Sequence, residues 1–266
     1  MSLPDSEVLA AAGLSVLLDG EVLTVTLDKA KRRNSQTPRM WHALADIGAS
    51  VPDEVRVVVV RGAGDHFSAG LDIGLLSPDG LEGEESIAEL MQQPDDVISD
   101  TIDGYQRGFV WLGDPRFVSV AQVQGYAIGA GFQLALACDL RVAADDVRFC
   151  MKEPALGLVP DLAGTKPLVG LVGYSRALEI CATARYVEGD EARELGIATA
   201  VVPRSELEAA TSDLVAAVLE NNTGAVRETK ALLQGASAAS LDDQRLAERS
   251  AQVRRFRELA GLVGGE

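Results

Sequence analysis

Gly125-Tyr126-Ala127-Ile128-Gly129-Ala130-Gly131-Phe132-Gln133-Leu134-Ala135-Leu136-Ala137-Cys138-Asp139 is followed by Glu153 and then by Gly157-Leu158-Val159-Pro160-Asp161. Residues 118–124 just before it read as a strand. The chain then breaks at small residues, which let backbone approach a ligand closely, and continues as an apolar helix from about residue 130 to 138. The first N–H groups of a helix have no partner within it and lie at its positive end, so such a turn can stabilise an oxygen that gains negative charge. Taken alone, the stretch is equally well a turn whose glycines only permit close packing, and the rest of the chain must decide.

Outward from this point, strands and helices alternate. Residues 14–18 and 22–27 flank Asp19-Gly20 as a hairpin. Thr37-Pro38 reads as an N-cap with proline at the first helical position, and Met40, Leu44 and Ile47 give the helix an apolar face. The valine run 55–60 is a strand buried on both faces. Between residues 77 and 113 the composition turns acidic, interrupted by Pro78, Gly80, Gly83 and Pro94. That predicts a mobile loop and then a helix over 95–111, placed to wall a substrate pocket. Short strands are expected at 140–143, 147–150 and 198–202, and helices at 165–172, 175–184, 205–220, 223–234 and 241–262. No repeat, low-complexity tract or linker divides the chain.

Forty acidic against 24 basic residues give a net charge of −16, which disfavours nucleic acid and anionic membrane surfaces as partners. The chain's 266 residues, 47% hydrophobic, suffice for a sizeable core. Cys138, Cys150 and Cys181 lack metal-ligand spacing, and with two histidines in all they read as reduced core thiols of a cytoplasmic protein. No targeting segment or membrane span is expected. His42 is expected to pack within the first helix, His66 to be a loop residue, and Asp139 and Arg141 to form a structural pair or cap.

Another small-residue turn lies earlier in the chain, and in chain order it is the first of the two. His66-Phe67-Ser68-Ala69-Gly70-Leu71-Asp72 and Gln124-Gly125-Tyr126-Ala127-Ile128-Gly129-Ala130-Gly131 can aim one backbone N–H each at a common point, a two-donor oxyanion hole. Together these motifs resemble the crotonase, or enoyl-CoA hydratase/isomerase, superfamily. Arg33-Asn34-Ser35, Ala137-Cys138-Asp139-Leu140-Arg141, Gly157-Leu158-Val159-Pro160, Gly173-Tyr174-Ser175-Arg176-Ala177 and Glu191-Ala192-Arg193-Glu194-Leu195-Gly196-Ile197-Ala198 support the match, which covers roughly residues 14–202.

The resemblance implies an α/β fold, a crotonase-like (ββα)n spiral core over residues 1–202 with a C-terminal helical trimerisation region over 203–266. It implies a homotrimer or a hexamer of paired trimers, and acyl-CoA thioester substrates of fatty-acid metabolism, with no metal or organic cofactor beyond the coenzyme A of the substrate. The thioester oxygen would sit between Leu71 N–H and Ala130 N–H. Lys31, Arg33, Asp72 and Ile73, with neighbouring Lys29 and Arg32, lie where the family contacts coenzyme A, while Ala69, Gly70 and Gly129 shape the hole and Gln133 faces the substrate. Hydratases of the family use two glutamates. Here the first of those positions holds Gln133, which cannot accept a proton at neutral pH, and the second holds Glu153. One glutamate suffices to carry a proton from C2 to C4, and an aspartate eight residues after it, here Asp161, matches dienoyl-CoA isomerases, so isomerisation is expected ahead of hydration. A non-catalytic acyl-CoA binder is the other alternative, and dehalogenation and RNA binding are remote ones. From the residues alone, Glu153 could be a surface acid before Pro154, and Asp161 either caps the helix near Thr165 or joins Glu153 in the pocket. The family's usual C-terminal motif is absent from the tail ending Gly261-Leu262-Val263-Gly264-Gly265-Glu266.

Overall fold

Four consecutive valines open strand β3 (Val57–Gly62, numbered in chain order below), and their alternation divides the interior in two. Val58 and Val60 face the main core, while Val57 and Val59 face a second cluster. In the computed structural model, which describes residues 3–77 and 79–261, the elements before β3 are α1 (Ser6–Ala11), β1 (Leu14–Asp19), β2 (Val22–Leu27) and α2 (Pro38–Ala49). After it come α3 (Ile87–Leu90), α4 (Asp95–Val110), β4 (Val118–Val123), β5 (Tyr126–Ile128), α5 (Ala130–Ala137), β6 (Leu140–Ala144) and β7 (Arg148–Cys150). Then follow α6 (Thr165–Val172), α7 (Tyr174–Thr183), β8 (Val187–Glu188), α8 (Gly189–Glu194), β9 (Ala200–Val202), α9 (Leu207–Leu219), α10 (Thr223–Ala236) and α11 (Leu241–Leu259). Expectations for Pro78, for the ends of the chain and for the close of the last helix at 262 fall wholly or partly outside the described residues.

Six strands form one sheet in the order β1-β2-β3-β4-β6-β9, antiparallel only between β1 and β2, and β5-β7-β8 form a second, smaller sheet. The register pairs Val57 with Val118 and Val59 with Val120, so the two-faced pattern of β3 repeats on β4, where Ala121 and Val123 join the main core and Val118 and Val120 the second. Leu207 and Val215 of α9 close that second cluster, which is why both sheet faces are apolar. Helix α5 is buried from Ala130 through Leu136 and is accordingly apolar on all sides.

The hairpin turn is Gly20-Glu21, with Asp19 paired to Val22, so the chain reverses one residue later than Asp19-Gly20 suggests; Gly20 has φ 55°. The Thr37 cap and Pro38 start of α2 hold as read. Tyr126–Ile128, within the stretch read as a turn, is a strand of the small sheet, too short to show a period. His42 is on the outer face of α2, paired with Glu85 at 2.9 Å, rather than packed inside. Asp139 and Arg141 do not bond through their side chains to one another. Arg141 donates to the carbonyls of Ala135, Cys138, Asp139 and Ile197, closing the end of α5. Asp139 accepts from Ser119 N–H, Ser119 Oγ and Lys230 Nζ.

Lys230, 8% exposed, ties α10 to the core by also donating to Asp114 O at 2.7 Å and Phe117 O at 2.8 Å. Lys230→Ala leaves a partly buried carboxylate and two carbonyls short of a donor, and is expected to lower stability by about 2–4 kcal/mol. The denaturant midpoint of the purified variant checks this.

Candidate active site

Strands β3 and β4 run parallel, so the loops that leave them emerge side by side. Gln124 ties these loops together by donating to Gly62 O at 2.7 Å and Gly64 O at 3.1 Å. Beyond it, residues 67–70 run alongside β5: Phe67 N–H donates to Gln124 O, Ser68 N–H to Tyr126 O and Ile128 N–H to Ser68 O. The two small-residue turns are therefore neighbours. At Gly70, φ is 79°, and a β-carbon there would lie 2.3 Å from Ile128 O and 3.3 Å from Ala130 N.

Leu71 pairs with Gln36 in a bridge that uses the carbonyl of Gly70 and the N–H of Asp72, and this leaves the Leu71 N–H directed away from Gln36. Ala130 is the first residue of α5, where an N–H has no helical partner. Among the described residues neither N–H donates to another protein group.

Glu153 begins a short 3-10 turn after β7 and is 9% exposed, so it is no surface acid. A β-carbon at Gly129 would lie 3.2 Å from its Oε1, which sets the carboxylate directly against the second turn. Oε1 accepts from Gln133 Nε2 at 2.7 Å, while Oε2 is buried without a hydrogen-bond partner among the described residues. Burial pushes the Glu153 carboxyl above its ordinary range and nearby Asp161 adds to this, outweighing the hydrogen bonds that favour the anion. An anion with one tethered oxygen and one bare oxygen in a desolvated site is a competent base.

Gln133 is fully buried, and both ends of its amide bind protein groups rather than an open cavity. Besides its donation to Glu153, its Oε1 accepts from Leu162 N–H at 2.9 Å and Gly164 N–H at 3.3 Å. Instead of facing the substrate, it orients Glu153 and holds the loop that carries Asp161. The side chain of Asp161 does not cap α6, whose N-cap is Gly164 without a side-chain bond. Burial raises the Asp161 carboxyl too, and its backbone carbonyl accepts from Gln106 of α4 at 2.6 Å.

The groups read as coenzyme A contacts divide. Asp72 is 4% exposed and braces the preceding loop, accepting from Ser35 Oγ at 2.7 Å, Arg32 Nη2 at 2.9 Å and Gly74 N–H at 3.1 Å. Burial alone would raise its carboxyl, but the bonds from Ser35, Gly74 and Arg32 outweigh burial and lower it. Its side chain is thus a structural brace. Lys31, Arg33 and Ile73 are exposed, with the Arg33 guanidinium 5.9 Å above the Tyr126 ring. His66 is a loop residue stacked on Tyr126 at 4.5 Å, and Ala69 N–H donates to Arg33 O.

Three groups are not singled out by the sequence: Ser68, which is one small residue among others in its motif, Gln36, buried beside the same turn, and the pair Tyr105–Glu85. Tyr105 Oη donates to Glu85 Oε2 at 2.6 Å, which fixes the acidic 79–94 segment onto α4 and α2.

A family model for enoyl-CoA hydratase/isomerase matches residues 18–260. The chain belongs to the enoyl-CoA hydratase/isomerase family. Within that family it is similar to a candidate enoyl-CoA hydratase from Thermobifida fusca YX, solved in complex with CoA: 47% identity, 98% of this chain and 99% of that one, TM-score 0.93. The acetoacetyl-CoA complex from the same organism gives 47% identity over 97% of this chain and 100% of that one, also with TM-score 0.93. A peroxisomal Δ(3,5)-Δ(2,4)-dienoyl-CoA isomerase of Arabidopsis thaliana is 30% identical over 190 residues, 71% of this chain and 68% of its own length. The fold and the enzyme class read from the two turns stand on these matches. Among the described residues no helix is long and apolar enough to cross a membrane.

Proposed function

We propose that this enoyl-CoA hydratase/isomerase family member moves a carbon–carbon double bond of an acyl-CoA from the 3,4 to the 2,3 position. The observation that carries this is the pairing of a bare, buried Glu153 oxygen with Gln133 at the place of a second acid. The thioester oxygen accepts from Leu71 N–H and Ala130 N–H, which makes the C2 proton acidic. Glu153 removes that proton, the charge moves to the thioester oxygen as an enolate, and the proton returns at C4. Asp161, close enough to raise the Glu153 carboxyl, is the second group for a proton that must travel further, as in a 3,5-diene.

Coenzyme A enters as part of the substrate, along the exposed Lys31 and Arg33 side, and the chemistry requires no metal or organic cofactor. The exposed apolar side chains Leu241, Leu246, Phe256 and Leu259 of α11 support assembly of the helices after residue 202 into a trimer or a pair of trimers.

Hydration of a 2-enoyl-CoA is the second reading, supported by the names of the Thermobifida fusca relatives. A single panel separates the two: crotonyl-CoA for hydration, and 3-enoyl- and 3,5-dienoyl-CoA for isomerisation. Isomerisation is expected to exceed hydration by at least about 100-fold in kcat/KM, the contribution of one missing general acid or base. Faster hydration of crotonyl-CoA would overturn the proposal, and tight acyl-CoA binding without any turnover would make the chain a binder.

A further inference from the structure

Ser68 is fully buried within the turn that carries Leu71 and packs against the stretch that carries Ala130. Its main chain bridges to β5, donating to Tyr126 O at 2.8 Å and accepting from Ile128 N–H at 3.0 Å, immediately before the turn that carries Ala130. Its hydroxyl donates to Asn34 O at 2.7 Å and accepts from Gln36 Nε2 at 3.0 Å and from Gly70 N–H at 3.1 Å. A hydroxyl offers one donor and two acceptor positions, and all three are filled. On its remaining side Ser68 packs against α5: a β-carbon at Gly131 would lie 2.6 Å from Ser68 O and 2.8 Å from Ser68 Cβ.

Gln36 is itself anchored. Its Oε1 accepts from Trp41 Nε1 at 2.8 Å, and its own N–H and carbonyl hold Gly70 O and Asp72 N–H at 2.8 and 2.9 Å. The peptide that carries Leu71 N–H is thus held at its carbonyl by Gln36, and the peptide before it by Ser68. At φ 79°, Gly70 has freedom to rotate that an L side chain lacks, and the Ser68 hydroxyl removes it.

We propose that Ser68, anchored by Gln36, is a positioning residue that sets the separation and direction of the two backbone donors, Leu71 N–H and Ala130 N–H. The inference rests on the reading of these two groups as the thioester hole. It does not depend on which double-bond chemistry follows. The required tolerance is narrow: effective donors lie roughly 2.7–3.1 Å from the developing oxyanion, and a displacement of about 1 Å can lower a rate about 100-fold.

The test compares wild type with Ser68→Ala and, as a second route to the same anchor, Gln36→Met. Two quantities are read: kcat and KM for the isomerised substrate, and the carbonyl stretching frequency of bound butyryl-CoA carrying 13C at C1. Butyryl-CoA has no double bond to isomerise or hydrate, and its carbonyl stretch shifts to lower frequency as its oxygen accepts stronger hydrogen bonds. The expected result for Ser68→Ala is a fall in kcat of about 10- to 100-fold with KM within about threefold, together with a smaller frequency shift. Gln36→Met is expected to move both in the same direction by less.

A folded Ser68→Ala variant with wild-type kcat and an unchanged stretch would overturn the proposal. So would a variant that only loses acyl-CoA affinity. If Ser68→Ala does not fold, Gln36→Met carries the same comparison, and failure of both to fold assigns these residues a purely structural role, against the proposal. A wild-type enzyme that isomerises nothing sinks the isomerase reading but leaves the carbonyl measurement interpretable. A wild-type enzyme that binds butyryl-CoA with no shift sinks the hole itself.

Discussion

Glu153→Gln is expected to reduce isomerisation by about 1000-fold or more, within the about 100- to 10,000-fold range of general acid–base catalysis and near its upper end because one group both takes and returns the proton. The substitution is nearly isosteric and can keep an oxygen facing Gln133 Nε2, so acyl-CoA binding should persist; steady-state kinetics with a binding titration separates the two effects. The pH dependence follows from the same carboxyl. Glu153 must be ionised to act as a base, and burial has raised its pKa, so kcat/KM falls about tenfold per pH unit once the pH drops below that raised value. The acid limb should therefore lie above the ordinary glutamate range. For stability the sign is opposite: a carboxyl with a raised folded-state pKa stabilises the fold below its unfolded pKa, and that contribution is lost as pH rises through the folded value. Glu153→Gln removes this loss, so at neutral pH its denaturation midpoint should equal or exceed that of wild type, with the difference closing in acid.

The second large effect belongs to Gly70. A β-carbon there would lie 2.3 Å from Ile128 O and 3.2 Å from Ile128 C, both backbone atoms of the opposite turn that cannot move aside as a flexible side chain would. Gly70→Ala must push the two turns apart, and the expected loss of kcat is about 100- to 1000-fold, that of one oxyanion donor. A control isolates the steric part from the backbone strain. Gly173 has φ 74° but, among the described residues other than its chain neighbours, no atom within 4 Å of its notional β-carbon, so Gly173→Ala carries strain alone. It should lower stability by about 1 kcal/mol while leaving kcat within about twofold. Equal losses of kcat in the two variants would mean that strain, not separation of the donors, explains Gly70.

Much of the fold is legible because local signals and tertiary environment agree. The valines of β3 have two apolar faces to cover and are read as a doubly buried strand; Thr37-Pro38 carries a local helix-start signal that the fold keeps; the helix after Pro94 appears over Asp95–Val110 as its spacing suggests. The two small-residue turns are legible because glycine suits positive φ, as at Gly70 and Gly129, and close approach, to the Ile128 carbonyl at Gly70 and to the Glu153 carboxylate at Gly129. What the sequence hides is decided by partners far away in the chain. Gln133 looks like a pocket residue on an apolar helix, and only the fold brings Glu153, 20 residues on, and Leu162, 29 residues on, to its two ends. Ser68 reads as one more small residue of a turn until Gln36 and Asn34, 32 and 34 residues away, close on its hydroxyl. His42, two residues from both Met40 and Leu44, falls off the apolar face they define, and its partner Glu85 lies in a segment with no period.

The central claim is that Glu153 removes a C2 proton from a thioester held by Leu71 and Ala130 N–H. Its most direct measurement needs no knowledge of the natural acyl chain: deuterium incorporation at C2 of butyryl-CoA in heavy water, followed by mass spectrometry. Wild type should incorporate deuterium at C2 well above the rate without enzyme, and Glu153→Gln should fall to that background. Incorporation that is undiminished in Glu153→Gln, or absent in a wild-type enzyme that binds butyryl-CoA, would contradict the claim.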